Sequence, residues 1–183
     1  MNPIFAAAYD LQTFCERAGW QFCFIGGIAV QRWGEPRFTQ DADLTLLTGF
    51  GDEERYIDHL LAHYPGRLPD TRDFALQTRV VLLVGRNDVP LDIALGAMPF
   101  EERTVQRASR YHIAENQSLL TCSAEDLIVH KAFADRPQDW LDIDGIIARQ
   151  RTTLNLQQIW VEVEPLVELK EEPAILDRLR MRL

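Results

Sequence analysis

The 183-residue sequence predicts an α+β protein, in which strands and helices are mixed in the first part and helices dominate the rest. Short β-rich runs bounded by Gly and Pro occur up to Pro99, whereas apolar residues beyond it recur at helical spacing. No Ser- or Gly-rich linker separates the two parts. We therefore expect a core over residues 1–110 and a helical region over 111–183 that packs on it.

The composition indicates what the protein binds and in which compartment it works. Lys and Arg number 19 against 28 Asp and Glu, and this charge of −9 disfavours a broad nucleic-acid surface and suits a protein that binds divalent cations. Three cysteines without a Cys-x-x-Cys pair indicate reduced thiols and a cytoplasmic protein. The N-terminus lacks the basic segment of a signal peptide, and no apolar run is long enough to cross a membrane.

The elements of the first part follow from their periodicity and their Gly and Pro boundaries. The sequence predicts a helix over 4–18, a strand in "WQFCFI", a short helix in "IAVQRW", a strand in "DADLTLL" and a helix over 52–64. The segment "FALQTRVVLLVG" is then predicted as a strand, "RND" as a turn and "VPLDIAL" as the return strand of a hairpin.

The part beyond Pro99 is predicted to be helical. Ser123 resembles an N-cap, Pro137 suits the first turn of the next helix, and Asn155 is a candidate cap for a further helix. Pro173 then separates a short, Arg-rich final helix. The predicted order is therefore mixed strand and helix first, and helix afterwards.

Carboxylates in the predicted strands point to a metal site. Asp41 and Asp43 are two residues apart, so their side chains project to the same face of a strand, roughly 7 Å apart along the chain. Asp92 lies between two apolar residues of the return strand and is suited to complete the set. Magnesium prefers several oxygen ligands and keeps positions open for phosphates. Two ions held in this way promote nucleotidyl transfer, one at the attacking hydroxyl and one at the triphosphate.

A glycine pair adds a candidate phosphate site. Gly26 and Gly27 lie between a predicted strand and a predicted helix, where missing side chains let backbone N–H groups approach phosphate oxygens. Arg37 and Lys131 are candidates to neutralise the remaining phosphate charge. Each of these features alone has an ordinary explanation as a turn, a solvated carboxylate or a solvated helix face. Their order along the chain is what favours a nucleotide site.

The stretch "GGIAVQRWGEPRFTQDADL" resembles the Gly-Gly…Arg-x-Thr-x-Asp-x-Asp signature of the nucleotidyltransferase superfamily typified by DNA polymerase beta. It is most similar to the branch of AbiEii-type toxin nucleotidyltransferases. The resemblance implies a minimal nucleotidyltransferase core, a mixed β-sheet flanked by helices, followed by a helical C-terminal region. It also implies roles for nine residues. Asp41, Asp43 and Asp92 would be catalytic and would bind metal, and the nucleotide would contact Gly26, Gly27, Arg37, Thr39, Lys131 and Asp139.

A second stretch, "DLIVHKAFADRPQDWLDI", is similar to the Lys…Arg-x-x-Asp-x-x-Asp-Ile helix pair of the same branch. The resemblance places Lys131 on the nucleotide phosphates and Asp139 near the site, with Arg136 and Asp142 in support. It covers residues from about 20 to 147.

The resemblance implies a magnesium-dependent enzyme that moves NMP from an NTP to a hydroxyl acceptor, with two Mg²⁺ ions or Mn²⁺ in their place. The acceptor stays open among tRNA, protein and small molecules, and an antitoxin partner is an option. Two alternatives also stay open: a non-catalytic nucleotide-binding or toxin–antitoxin partner module on the same fold, and a glycosyltransferase whose Asp-x-Asp binds a metal.

Overall fold

The computed structural model describes residues 2–183, which form one mixed β-sheet and a set of α-helices, so the predicted α+β class is confirmed. The strands are β1 (Phe22–Phe24), β2 (Ala42–Leu47), β3 (Val80–Val84), β4 (Pro90–Gly96), β5 (Ser109–Ala114) and β6 (Gln117–Thr121). The helices are α1 (Pro3–Arg17), α2 (Gly26–Trp33), α3 (Glu53–Leu61), α4 (Thr71–Thr78), α5 (Pro99–Gln106), α6 (Ala124–Ala134), α7 (Pro137–Gln150), α8 (Leu156–Lys170) and α9 (Ala174–Arg180).

By its internal contacts the chain divides into two compact units. The sheet unit consists of the residues up to Ile28 together with Phe38–Cys122, and the helical unit consists of Ala29–Arg37 together with Ser123–Leu183. The sheet unit holds all six strands with α1, α3, α4 and α5, and the helical unit holds α6 to α9. Packing of the C-terminal region on the core stays a prediction.

The sheet has the strand order β3-β4-β2-β1-β6-β5. Strand β2 is central: it pairs antiparallel with β1 and parallel with β4. Its side chains alternate as predicted, so that Ala42, Leu44 and Leu46 are fully buried in the core and Asp43 faces the other side. The predicted hairpin of β3 and β4 is confirmed, and its turn is Arg86–Asp88.

The prediction of a single strand over "FALQTRVVLLVG" is wrong in its first part, which belongs to α4. Arg79 ends that helix in a left-handed backbone conformation, with φ of 60°, and β3 begins at the next residue. The Arg79 guanidinium holds this turn by donating hydrogen bonds to the carbonyls of Gly49 and Leu95, at 3.0 and 2.6 Å. These partners are distant in sequence, and local periodicity does not show them.

The prediction that the chain is only helical beyond Pro99 is wrong for one hairpin. Strands β5 and β6 pair antiparallel between α5 and α6, and the turn between them contains Glu115 and Asn116. Strand β6 also pairs with β1 and so joins the sheet. Because β5 is an edge strand and none of its side chains is fully buried, its apolar alternation is weak, and the sequence signal was missed.

The predicted helix boundaries of the helical unit are confirmed. Ser123 accepts a hydrogen bond from the Asp126 amide at the start of α6, and Asn155 accepts one from the Gln158 amide at the start of α8, both at 3.1 Å. Pro137 is the first residue of α7. The apolar core of this unit includes Leu127, Ile128, Ile143, Ile146, Ile159 and Val163.

A buried glutamine of α1 completes the hydrogen bonding of β6. Gln12 is 1% exposed; its Nε2 donates to the Ser118 carbonyl at 2.9 Å and its Oε1 accepts from the Leu120 amide at 2.8 Å. Strand β1 is registered with β6 only at Thr121, so it does not reach these two backbone groups. The side-chain amide of Gln12 therefore takes the place of a strand partner.

We expect Gln12→Leu to lower the free energy of unfolding by about 2–3 kcal/mol, because it leaves a backbone N–H and a carbonyl without partners. Urea unfolding followed by circular dichroism measures this. Gln77→Leu, the same change at an exposed position of α4, is the control and should stay within about 0.5 kcal/mol of wild type. Equal stabilities of the two variants would contradict the role given to Gln12.

Candidate active site

Three carboxylates converge on the polar face of the sheet, as the sequence predicted. Asp43 of β2 and Asp92 of β4 are directly paired in the parallel register, and Asp41 immediately precedes β2. Asp41, Asp43 and Asp92 each offer a carboxylate oxygen, and these oxygens lie within 4.8 Å of one another. All three residues are partly exposed, so the group is accessible from solvent. We call these three residues the Asp triad.

Thr39 holds the first member of the triad. Its hydroxyl donates to Asp41 Oδ1 at 3.0 Å, and Thr39 is 8% exposed. Gly27 makes room for this threonine, because a Cβ on Gly27 would lie 2.2 Å from Thr39 Oγ1. The second glycine of the pair is thus required by packing inside the site.

Gly26 makes room for the second member of the triad. It begins α2 with a positive φ of 55°, and a Cβ there would lie 1.9 Å from Asp43 Oδ2. The same carboxylate oxygen accepts a hydrogen bond from the Gly27 amide at 3.3 Å. Both glycines therefore have a structural reason that is independent of any ligand: they let α2 begin directly against the triad.

We expect Gly26→Ala to destabilise the protein and to displace Asp43, because the added Cβ meets both a left-handed backbone and the carboxylate. Unfolding free energy and Mn²⁺ affinity, measured by calorimetry, should both fall. Gly19→Ala is the matched control: Gly19 has a φ of 70°, and a Cβ there would have no atom within 4 Å, so only a backbone penalty of about 1–2 kcal/mol is expected. Unchanged Mn²⁺ binding in Gly26→Ala would contradict this reading.

Asp92 forms an ion pair with Arg67, a residue that no sequence motif had indicated. The guanidinium Nη2 lies 2.7 Å from Asp92 Oδ1, and the two side chains are 32% and 30% exposed. Burial raises the pKa of Asp92 most strongly, Arg67 lowers it, and Asp41 raises it, so that the net pKa lies above the ordinary value. Arg67 was missed because its contact depends on how the loop before α4 meets the sheet.

Arg37, Lys131 and Asp139 lie in the helical unit, where they form one ion-pair network with Asp142 and Arg136. Lys131 Nζ lies 2.9 Å from Asp139 and 2.6 Å from Asp142. Arg37 donates two hydrogen bonds to the Asp142 carboxylate, at 2.8 and 2.9 Å, and Arg136 donates to Asp139 at 2.6 Å. Lys131 is 4% exposed. We call this set the Lys131 network.

The acidic members of the Lys131 network are held ionised. Burial alone raises the pKa of Asp139, but hydrogen bonds from Arg136 and Lys131 outweigh it and bring the pKa below its ordinary value. Burial likewise raises the pKa of Asp142, and hydrogen bonds from Arg37 and Lys131 bring it down. The network therefore consists of charged groups that stabilise one another.

Further contacts hold the end of α2 and the residue after it against α7, within the helical unit. Arg149 donates to the Gly34 carbonyl, and Gln150 donates to the Trp33 carbonyl at 3.1 Å. A Cβ on Gly34 would lie 3.0 Å from the side chain of Ile146, so the backbone is close to the helix there. The pairing of Arg37 with α7 is one part of this larger set of contacts.

The donors of the Asp triad fit a hard divalent cation. Carboxylate oxygens are the ligands that Mg²⁺ and Mn²⁺ prefer, and partial exposure leaves room for waters or phosphate oxygens. In the described residues, 2–183, no other group of at least three His, Cys, Asp or Glu side chains brings its ligand atoms this close. The structure thus brings together six of the nine predicted site residues, the triad with Gly26, Gly27 and Thr39, and places the other three in the Lys131 network.

Comparison with known proteins identifies the family. The model of the family described as "Nucleotidyl transferase AbiEii toxin, Type IV TA system" matches residues 14–172. The chain belongs to the AbiEii nucleotidyltransferase family. The predicted resemblance is confirmed, and the chain is a nucleotidyltransferase by family. Among curated proteins, none matches this sequence.

Solved structures show the same fold. An antigenic nucleotidyltransferase-like protein from Paracoccidioides brasiliensis is 14% identical, with a TM-score of 0.58 over 100% of this chain and 94% of its own. The antibiotic-resistance factor ANT(2'')-Ia is 15% identical, with a TM-score of 0.54 over 98% of this chain and 97% of its own. ANT(2'')-Ia in complex with adenylyl-2''-tobramycin is 16% identical, with a TM-score of 0.50 over 91% of this chain and 95% of its own. Among residues 2–183, no helix is long and apolar enough to cross a membrane.

Proposed function

We propose that this protein transfers a nucleoside monophosphate from an NTP to a hydroxyl acceptor in a Mg²⁺-dependent reaction that releases pyrophosphate. The observation that carries the proposal is the convergence of Asp41, Asp43 and Asp92 beside a glycine turn at the start of a helix. Family membership supports nucleotidyl transfer as the reaction class. The choice of Mg²⁺ follows from the all-carboxylate donor set, with Mn²⁺ as its substitute.

Each member of the site has a proposed role. Asp41, Asp43 and Asp92 would be the carboxylate ligands of the metal ions. When bound, the ions stabilise the negative charge that develops on the phosphates. Asp92 takes the proton of the acceptor hydroxyl, and the hydroxyl oxygen bonds to the α-phosphorus of the NTP. The bond between the α-phosphorus and the oxygen that bridges to the β-phosphorus breaks, which releases pyrophosphate. The start of α2, at Gly26 and Gly27, is proposed to face the triphosphate, where the helix N-terminus supplies a favourable partial charge.

Thr39 supports this site through its hydrogen bond to Asp41. The assignment of Arg37, Lys131 and Asp139 to nucleotide binding stays a prediction. Their charges are already paired with one another and with Asp142 and Arg136. We therefore propose that these charges fix α6, α7 and the segment around Arg37 relative to one another.

The acceptor is proposed among tRNA, protein and small molecules, and an antitoxin is proposed as a protein partner in the cytoplasm. The family description, a type IV toxin–antitoxin system, supports a partner of this kind. The structure of ANT(2'')-Ia with adenylyl-2''-tobramycin supports inclusion of small-molecule hydroxyls in the test, because it shows a nucleotidylated product on a similar fold.

The test is incubation of the protein with Mg²⁺ and each of the four NTPs, labelled at the α-phosphate, against tRNA, total protein and aminoglycosides. Transfer of label with matching release of pyrophosphate, abolished by EDTA and restored by Mg²⁺, is the expected result. NTP binding by calorimetry without label transfer to any acceptor class would replace the proposal with a non-catalytic nucleotide-binding or partner-binding module.

A further inference from the structure

We infer that Arg67 is a built-in competitor for the third ligand of the Asp triad, and that it lowers the affinity of the triad for a divalent cation. The inference rests on the proposed metal site, and it adds Arg67, which lies outside both motif stretches of the sequence. Arg67 forms an ion pair with Asp92, one of the three triad carboxylates.

The register of the sheet aligns Arg67 with Leu82 of β3, Asp92 of β4 and Asp43 of β2. The Arg67 amide donates to the Leu82 carbonyl at 2.9 Å, and Gly66 forms a β-bridge with the neighbouring residue of β3. Leu82 is paired with Asp92, and Asp92 is paired with Asp43. Directly paired residues point to the same face of a sheet, so the guanidinium reaches over β3 to the carboxylates. Its position is set by the backbone, which distinguishes it from a mobile surface arginine.

Asp92 does not need Arg67 to stay in place. Strand β4 is paired on both sides, with β2 and with β3, and Asp92 lies in the middle of the strand with a short side chain. Removing Arg67 therefore leaves the triad geometry intact and takes away a positive charge beside it. Since a bound cation and Arg67 are both positive and share one carboxylate, the charge effect outweighs any loss of orientation. The expected sign is tighter metal binding without Arg67.

The N–H donors of Arg67 that do not bind Asp92 are available for the phosphates of a nucleotide. A guanidinium has five N–H donors, and Arg67 uses one of them on Asp92 in this structure. Phosphate oxygens are strong acceptors for the others. An incoming triphosphate then draws Arg67 away from Asp92, and the carboxylate becomes free for the ion that accompanies the nucleotide. Full loading of the metal site is thereby tied to the arrival of substrate.

Titration of Mn²⁺ into the full-length protein by isothermal calorimetry tests the inference. Arg67→Gln should bind Mn²⁺ roughly tenfold more tightly than wild type in the absence of nucleotide. Arg67→Lys keeps the positive charge and should stay close to wild type. Arg72→Gln is the matched control, because Arg72 pairs with Glu54 and Asp58 on the surface and its loss changes the net charge by the same amount. It should leave Mn²⁺ affinity nearly unchanged.

The outcomes separate this inference from the proposed function. Equal or weaker Mn²⁺ binding by Arg67→Gln, with wild-type binding that Asp43→Asn removes, would overturn the role of Arg67 and leave the metal site standing. Tighter binding in Arg67→Lys as well would overturn it too, because the effect would not follow charge. Absence of Mn²⁺ binding in wild type and Arg67→Gln alike would overturn the metal site and this inference together.

Discussion

Asp43→Asn is expected to reduce Mg²⁺-dependent nucleotidyl transfer by at least about 10²–10³-fold while the free energy of unfolding stays at or above that of wild type. The asparagine keeps the shape of the side chain and an oxygen that accepts the hydrogen bond from the Gly27 amide. It removes a negative charge from the centre of the Asp triad, and with it a metal ligand. Initial rates of pyrophosphate release and urea unfolding curves measure the two effects.

Loss of activity without loss of stability is the mark of a functional carboxylate. Three like charges with oxygens within 4.8 Å repel one another, so removing one relieves the folded protein. Asp73→Asn, the same change at an exposed position of α4, should keep full activity. An Asp43→Asn variant that retains wild-type rates would remove this aspartate from the mechanism, and one that unfolds would give it a structural role.

Lys131→Met is expected to have the largest effect on stability, a loss of about 3–5 kcal/mol. Lys131 is almost fully buried and lies between Asp139 and Asp142, so the variant leaves two buried carboxylates with one cationic partner each. Lys170→Met is the control: Lys170 forms a more exposed pair with Glu172, and its replacement should cost no more than about 1 kcal/mol. Denaturant unfolding of both variants gives the comparison.

A double variant separates charge from packing in the Lys131 network. Adding Asp142→Asn to Lys131→Met removes one of the stranded carboxylates and should recover part of the lost stability. Strict additivity of the two single changes would show that Lys131 and Asp142 are not coupled, and that the loss in Lys131→Met does not come from a stranded Asp142.

The same network predicts a pH dependence. The pKa values of Asp139 and Asp142 lie below the ordinary value of 3.8 in the folded protein. Their contribution to stability is therefore complete above pH 3.8 and is lost as the pH falls through the lowered folded values. Without Lys131 the folded pKa values rise, so acid unfolding of Lys131→Met should begin at a higher pH than in wild type. Acid titration followed by circular dichroism measures the onset.

Much of the fold could be predicted, because its main elements carry strong local signals. Period-two alternation in "DADLTLL" and "VPLDIAL" gave β2 and β4, and the caps at Ser123 and Asn155 gave the starts of α6 and α8. The errors fell where tertiary contacts decide the backbone. Arg79 ends α4 through bonds to residues distant in sequence, and the β5–β6 hairpin is held by its place at the edge of the sheet.

In the candidate site, too, local sequence patterns were predictive and tertiary contacts were not. The triad was predictable because the spacing of Asp41 and Asp43 and the setting of Asp92 fix the face on which each side chain lies. The glycine pair was predictable as a special turn, whereas its contacts with Asp43 and Thr39 were not. The ion pair of Asp92 with Arg67 was not predictable either. It depends on how the segment at Gly66 aligns with β3, and how β3 aligns with β4.

The most direct test of the central claim is a crystal structure of the protein with Mn²⁺ and a non-hydrolysable NTP analogue, analysed by anomalous scattering. The expected result is anomalous density about 2 Å from carboxylate oxygens of Asp41 and Asp43, with Asp92 at the same centre and the triphosphate at the start of α2. Anomalous density bound elsewhere, or a nucleotide seated away from the triad, would contradict the claim that these three carboxylates form the catalytic metal site.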